Sequence, residues 1–177
     1  MKKTAIVIIL TTAIIACKSG PTQQVSSVVV AVPSPSTVKA SGYVTDEANV
    51  IDEATRKQLV TVLAALKERR KIDFSVVTVK STGDKSVADY SLALARERKK
   101  DSIEANVSGL LLLVAVDDRQ WRLQITRNLE PHLTDEILTN LSTPMTDAFR
   151  QKQYAEGILK YVNAIIAKIE QIDILGK

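Results

Sequence analysis

The chain has 177 residues, 45% of them hydrophobic and 25% charged, which suits one globular domain with a sizeable core. Lysine and arginine number 24 against 20 acidic residues, a formal charge of +4, and two of those lysines sit at the extreme N-terminus. So mild a balance, with only 4% aromatic residues, gives no basic footprint for nucleic acid and no platform for stacking bases.

The N-terminus reads "MKKTAIVIILTTAIIACKSG". Two lysines precede an apolar run from Ala5 to Ala16, shorter than the about 20 residues a membrane span needs and matched to the core of a secretory signal. The run ends in "IIAC", which resembles the bacterial lipobox. The expectation is a signal peptide over 1–17, with Cys17 acylated by palmitate-type chains and the protein held on a bacterial membrane, facing the periplasm. The plainer alternative is an ordinary signal peptide with an incidental cysteine. Cys17 is the only cysteine, so there is no disulfide partner within the chain and no thiol for catalysis or metal in the domain.

Residues 18–42 read as a tether. "KSGPTQQVSS" and "VPSPSTVKASG" are rich in Ser, Pro, Gln and Thr, and a flexible chain of that length spans roughly 25–30 Å. Within it, Val28 to Val32 is apolar enough for a short edge strand. The domain is expected over 43–171.

Asp52 is placed to cap a helix running to about Lys71, with Leu59, Leu63 and Leu66 on one face and "KERRK" at the negative end of its dipole. "IDFSVVTVK" reads as a strand. Ser86 and Asp89 form a capping pattern for a second helix through about Glu104. "GLLLLVAV" reads as a central strand buried on both faces, and "RQWRLQIT" as a half-buried one, with Trp121, Leu123 and Ile125 on one side. Only a few residues separate these two strands, which predicts a hairpin with Asp117, Asp118 and Arg119 near its turn. A third helix starts at Thr134 and meets Pro144, where a kink or a new first turn is expected. A last helix covers about Tyr154 to Gln171. The order α, β, α, β, β, α, α implies an α/β fold, with a mixed sheet covered by helices on both sides.

Five segments then stand in a familiar order: "YVTDEANVIDEATRKQL", "DFSVVTV", "GLLLLVAVDDRQWRLQI", "LEPHLTD" and "PMTDAFRQKQYAEGI". Together, from about Tyr43 to Ile166, they resemble the TPM domain family. The resemblance implies a three-layer α/β/α sandwich with a small mixed β-sheet in one domain. Some plant members of that family are associated with photosystem II repair and with weak acid phosphatase activity, and some members bind calcium or another divalent metal near acidic residues at one end of the sheet. Two departures stand out. "NVSG" replaces the family's D-N-G, with Val107 or Ser108 in place of the aspartate. "ITRNLEPHL" replaces G-x-G-L-E-G.

The candidate ligands for Ca2+ or Mg2+ are Asp46, Asp117, Asp118, Glu130 and Asp135, all on loops or element ends. Each also has a structural reading: Asp117 and Asp118 suit a hairpin turn, Asp135 suits a helix N-terminus, and Asp46 suits a turn. Arg119 and Arg122 are candidates for anion binding, set against a solvated strand face. His132 is the only histidine; it offers neither a zinc set nor a triad, and no nucleophile-elbow pattern occurs. The sequence therefore points to a lipid-anchored cell-envelope module that interacts with membrane proteins and maintains them without strong catalysis. A low-activity, divalent-metal-dependent phosphatase of the acid-phosphatase kind is the alternative, and a metal-binding domain without turnover is a third reading.

Overall fold

A computed structural model describes residues 42–101 and 108–172. The expected signal peptide with Cys17, the tether as far as residue 41 with Val28 to Val32, and Val107 all lie outside the described residues. The elements are β1 (Val44–Asp46), α1 (Glu53–Arg70), β2 (Ile72–Val79), α2 (Val87–Asp101), β3 (Ser108–Ala115), β4 (Gln120–Ile125), α3 (Asp135–Arg150) and α4 (Tyr154–Glu170).

Local chemistry sets the helix ends. Asp52 is extended and its carboxylate accepts the Thr55 N–H at 2.9 Å, which satisfies one of the orphan donors of α1. Lys71 closes that helix in the left-handed region, with φ 55°. At α2, the Ser86 hydroxyl accepts the Asp89 N–H at 3.1 Å and donates to the Asp89 carboxylate at 2.7 Å, so the expected capping pattern is present. The expected end of that helix near Glu104 lies outside the described residues. Thr134 caps α3.

The four strands form one sheet in the order β1-β2-β3-β4. The first three are parallel, and β4 returns antiparallel from the tight turn at 116–119. Alternation divides the side chains between two layers. Phe74, Val76, Leu110, Leu112 and Leu123 face the layer that holds Leu59, Leu63, Tyr161 and Ile165 of α1 and α4. Val77, Val79, Leu111 and Leu113 face Tyr90 and Leu94 of α2. The result is the expected three-layer sandwich. The two crossovers, β1-α1-β2 and β2-α2-β3, advance in the same direction across the sheet yet place their helices on opposite faces. Two such crossovers differ in hand, so one of them departs from the usual right-handed rule.

Two features differ from the sequence reading. Residues Val44–Asp46, to which the sequence assigns no strand, pair with β2 and make a fourth strand. Pro144 starts no new helix: α3 runs unbroken from Asp135 to Arg150 with the proline inside. Pro144 and Asn140 both face solvent, so the carbonyl that loses its intrahelical donor can turn to water.

Gly157 allows the close crossing of α3 and α4. A Cβ built there would lie 3.0 Å from the Ala148 Cβ and 3.1 Å from the Met145 carbonyl oxygen, neither of which can swing aside. Gly157→Ala is therefore expected to lower stability by about 1–3 kcal/mol from overpacking, more than the roughly 1 kcal/mol that alanine gains in helix propensity. Urea unfolding measures the difference; an unchanged or higher midpoint would mean that the two helices part freely.

Candidate functional site

The parallel strands β1, β2 and β3 end at one edge of the sheet, the edge where open α/β sheets hold ligands. Asp46, Asp117 and Asp118 all lie there. Glu130 and Asp135 follow β4, which runs the other way and ends opposite Leu110 at the start of β3, so they belong to the opposite edge. The five carboxylates do not converge.

Asp46 is fully committed within the protein. Its side chain is completely buried. One oxygen accepts the Val50 N–H at 3.1 Å and, by a short hydrogen bond, the Thr78 hydroxyl. The other accepts the Ile51 N–H at 2.9 Å and the Arg56 guanidinium at 3.3 Å. This carboxylate fastens the β1–α1 loop to β2 and to α1.

Asp118 does the same for the loop after β2. One oxygen accepts the Ser81 hydroxyl at 2.7 Å; the other accepts the Thr82 N–H at 2.7 Å and the Thr82 hydroxyl at 3.1 Å. The Ser81 hydroxyl, then the Thr82 N–H, hold the Asp118 carboxyl below its ordinary value of 3.8. Calcium wants six to eight oxygen ligands. Asp46 and Asp118 do not fit that role, because their oxygens already accept N–H and O–H groups. Among the described residues, no group of three or more His, Cys, Asp and Glu side chains is placed to hold a metal ion.

Asp117 is different: it is exposed, and its carboxylate has no partner among the described residues. It opens onto a cleft of about 790 Å³ between the β3–β4 turn and the α3–α4 turn. Arg119, Arg150 and Lys152 supply the cations of that cleft, and Trp121, Phe149 and Tyr154 its aromatic surface. Phe149 and Tyr154 pack with ring centroids 5.1 Å apart and planes tilted by 48°. Arg150 pairs with Asp147 at 2.5 Å, both side chains being exposed. Arg119 and Lys152 make no ion pair among the described residues.

Both of these unpaired cations sit in left-handed backbone, with φ 54° at Arg119 and 61° at Lys152. At Lys152 the reason is visible. The Lys152 N–H bonds the Phe149 carbonyl at 2.9 Å and the Gln153 N–H bonds the Ala148 carbonyl at 2.9 Å, the two bonds of a Schellman ending. Glycine is the usual residue at that position, and a lysine there is held at a local cost of about 1–2 kcal/mol. Strain of this kind concentrates at functional positions.

A second cleft, of about 680 Å³, runs along β4 beside the start of α3. Arg122, Glu130 and Asp135 line it, so it unites three of the residues singled out in the sequence. Trp121 lines both clefts and packs edge-on against Tyr161 at 5.4 Å. The buried Tyr161 hydroxyl has no hydrogen-bond partner among the described residues, and burial raises its pKa. Arg119 and Arg122, the candidates for anion binding, line different clefts. His132 lies half-buried in the turn after β4, and its backbone N–H bonds the Leu129 carbonyl.

Sequence reasoning missed Arg150 and Lys152. The signal was "RQKQ" between two helical patterns, a turn rich in cations, but nothing in the spacing shows which turn it faces.

The Asp118 bonds make a pH prediction. A carboxyl whose folded pKa is depressed adds stability above its unfolded value, and that stability is lost as pH falls through the folded one. Asp118→Asn is expected to unfold at lower urea than the parent at pH 7, and the gap should close as pH falls below 3.8. A gap that stays constant across a pH series of unfolding curves would show that the charge plays no part.

Comparison with known proteins agrees with this geometry. The TPM domain model matches residues 44–168. No curated protein matches the chain. Among solved structures, the N-terminal domain of a P. gingivalis protein is 31% identical, with a TM-score of 0.66 over 79% of this chain and 89% of that one. The BA42 protein of the psychrophilic bacterium Bizionia argentinensis is 15% identical, with a TM-score of 0.58 over 68% of this chain and 82% of its own. The N-terminal domain of a Corynebacterium glutamicum protein is 17% identical, with a TM-score of 0.52 over 72% and 79%. These last two share the fold. With its family model covering most of the chain, and its sheet and helices arranged as described, this chain belongs to the TPM domain family.

Proposed function

We propose that this TPM domain is a lipid-anchored interaction module of the cell envelope, one that holds a membrane-protein partner and works without catalytic turnover. One observation carries the reading. Asp46 and Asp118, the aspartates best placed at the ligand-binding edge, have their oxygens engaged inside the protein, whereas the open cleft beside them presents cations over aromatic rings. Such a surface suits recognition of a partner that carries negative charge next to apolar groups.

The alternative is a low-activity phosphatase, or a metal site without turnover, dependent on Ca2+ or Mg2+. Asp117 favours it, because its carboxylate is uncommitted at that same edge. The two readings separate by titration of the full chain in detergent micelles with calcium and magnesium, followed by calorimetry, and by assay with p-nitrophenyl phosphate. The module is expected to show no saturable binding up to millimolar metal and no metal-dependent hydrolysis. Metal-dependent turnover that disappears in Asp117→Asn would overturn it.

The anchor has its own test. Intact mass of the membrane-extracted protein is expected to show loss of residues 1–17's leader segment before Cys17 and the added mass of acyl chains. Cys17→Ser is expected to keep the leader and carry no acyl chain. An unacylated parent would remove the anchor from the proposal.

A further inference from the structure

The edge of β4 is open. Register pairs Leu110 with Ile125 and Leu112 with Leu123, and the Thr126 N–H bonds the Gly109 carbonyl at 3.0 Å. Alternation of an antiparallel ladder then turns the N–H and C=O groups of Gln120, Arg122 and Gln124 toward β3. Those of Trp121, Leu123 and Ile125 point away from the sheet, and no strand lies beyond β4 among the described residues. Both clefts follow this edge. One lies at its Gln120 end, the other runs its length beneath Leu133 and Leu138, and Trp121 lines both.

From this arrangement we infer that β4 accepts an extended segment of a partner protein as a fifth strand, seated between β4 and α3. The inference rests on the interaction-module reading and specifies the partner's form. An unpaired strand edge offers main-chain hydrogen bonds to any extended chain, and flanking side chains supply selectivity. Here the flanking charges are divided. The Gln120 end carries Arg119, Arg150 and Lys152 against Asp117, whereas the Ile125 end carries Glu130 and Asp135. Arg122 shares its sheet face with Leu113, on the α2 side, and stands apart from this division.

Antiparallel pairing, slightly the more stable ladder per residue, sets the direction, and the charges then set the order of the segment's ends. A strand antiparallel to β4 enters at the Ile125 end and leaves at the Gln120 end. Its first residues meet Glu130 and Asp135, and its last meet the three cations. The matching segment is therefore basic at its start, apolar at alternate positions, and acidic at its end. A single strand fits beneath α3, whereas a second copy of the domain would have to bring its own helix layers past it. The chain's own residues 18–41 contain no acidic residue to meet the cationic end.

The test uses the full chain in detergent micelles and amide hydrogen exchange followed by NMR. Without peptide, the Trp121, Leu123 and Ile125 amides are expected to exchange much faster than those of Arg122 and Gln124. The probe is a ten-residue peptide with two N-terminal lysines, alternating valine and threonine, and two C-terminal aspartates. It is expected to slow exchange at those three amides. A peptide with the charges reversed is expected to bind roughly tenfold more weakly or worse. One N-methylated at every second backbone nitrogen, on the edge facing β4, is expected not to protect them at all.

Arg150→Glu with Lys152→Glu makes both ends of the edge acidic and should abolish the preference between the two charge orders while leaving the free protein's exchange pattern unchanged. Protection of the three amides in the free chain at every concentration would mean that the edge is already covered from within, and overturns the inference. Protection that rises with protein concentration would assign the edge to a second copy, and overturns it too. An open edge that takes neither peptide, or both equally, also overturns it. The metal and turnover measurements, which do not involve β4, decide the module reading separately.

Discussion

One buried carboxylate organises the start of this domain. Asp46 takes donors from Val50, Ile51, Thr78 and Arg56, and so joins β1, the loop after it, β2 and α1 at one point. A buried charge is tolerated only when it is paired and hydrogen-bonded on every side. That requirement places β1 in register with β2, sets the entry of α1, and thereby decides which face of the sheet Leu59, Leu63 and Leu66 cover. Asp118 repeats the device one strand further along, tying the turn after β3 to Ser81 and Thr82 after β2. Two of the aspartates at this edge are thus fasteners, and only Asp117 is left uncommitted among the described residues.

The elements with strong local signals were readable in the sequence. Asp52, Ser86 and Thr134 each cap a helix as their spacing implied, because a capping side chain acts within three residues of itself. The runs at Phe74 and Leu110 read as strands, and the second as buried on both sides because apolar residues occupy both parities. β1 was less legible: three residues carry too little periodicity, and its pairing depends on a contact with Thr78 far along the chain. Pro144 misled in part, since its effect turns on whether the residue one turn earlier faces water, which is a matter of packing.

The candidate site was less legible than the fold. The sequence marks Asp117 and Asp118 at a turn, and Glu130 and Asp135 after the next strand, as parts of one acidic set. The antiparallel return of β4 sends the second pair to the far edge. Arg150 and Lys152 come to Arg119 only because α3 and α4 cross closely at Gly157 and bring their connecting turn beside the hairpin. The left-handed backbone at Lys152 has no sequence mark, since glycine is the residue that would announce it.

The two margins of the sheet are unlike. β1 is three residues long and pinned by Asp46, which makes a blunt margin; β4 is six residues long and open among the described residues. Strand-by-strand growth into a filament needs two receptive margins, one to give and one to receive. A sheet with a single receptive margin takes one additional strand and stops. Association through β4 is for that reason self-limiting, a property that would matter if the proposed anchor crowded many copies onto one membrane.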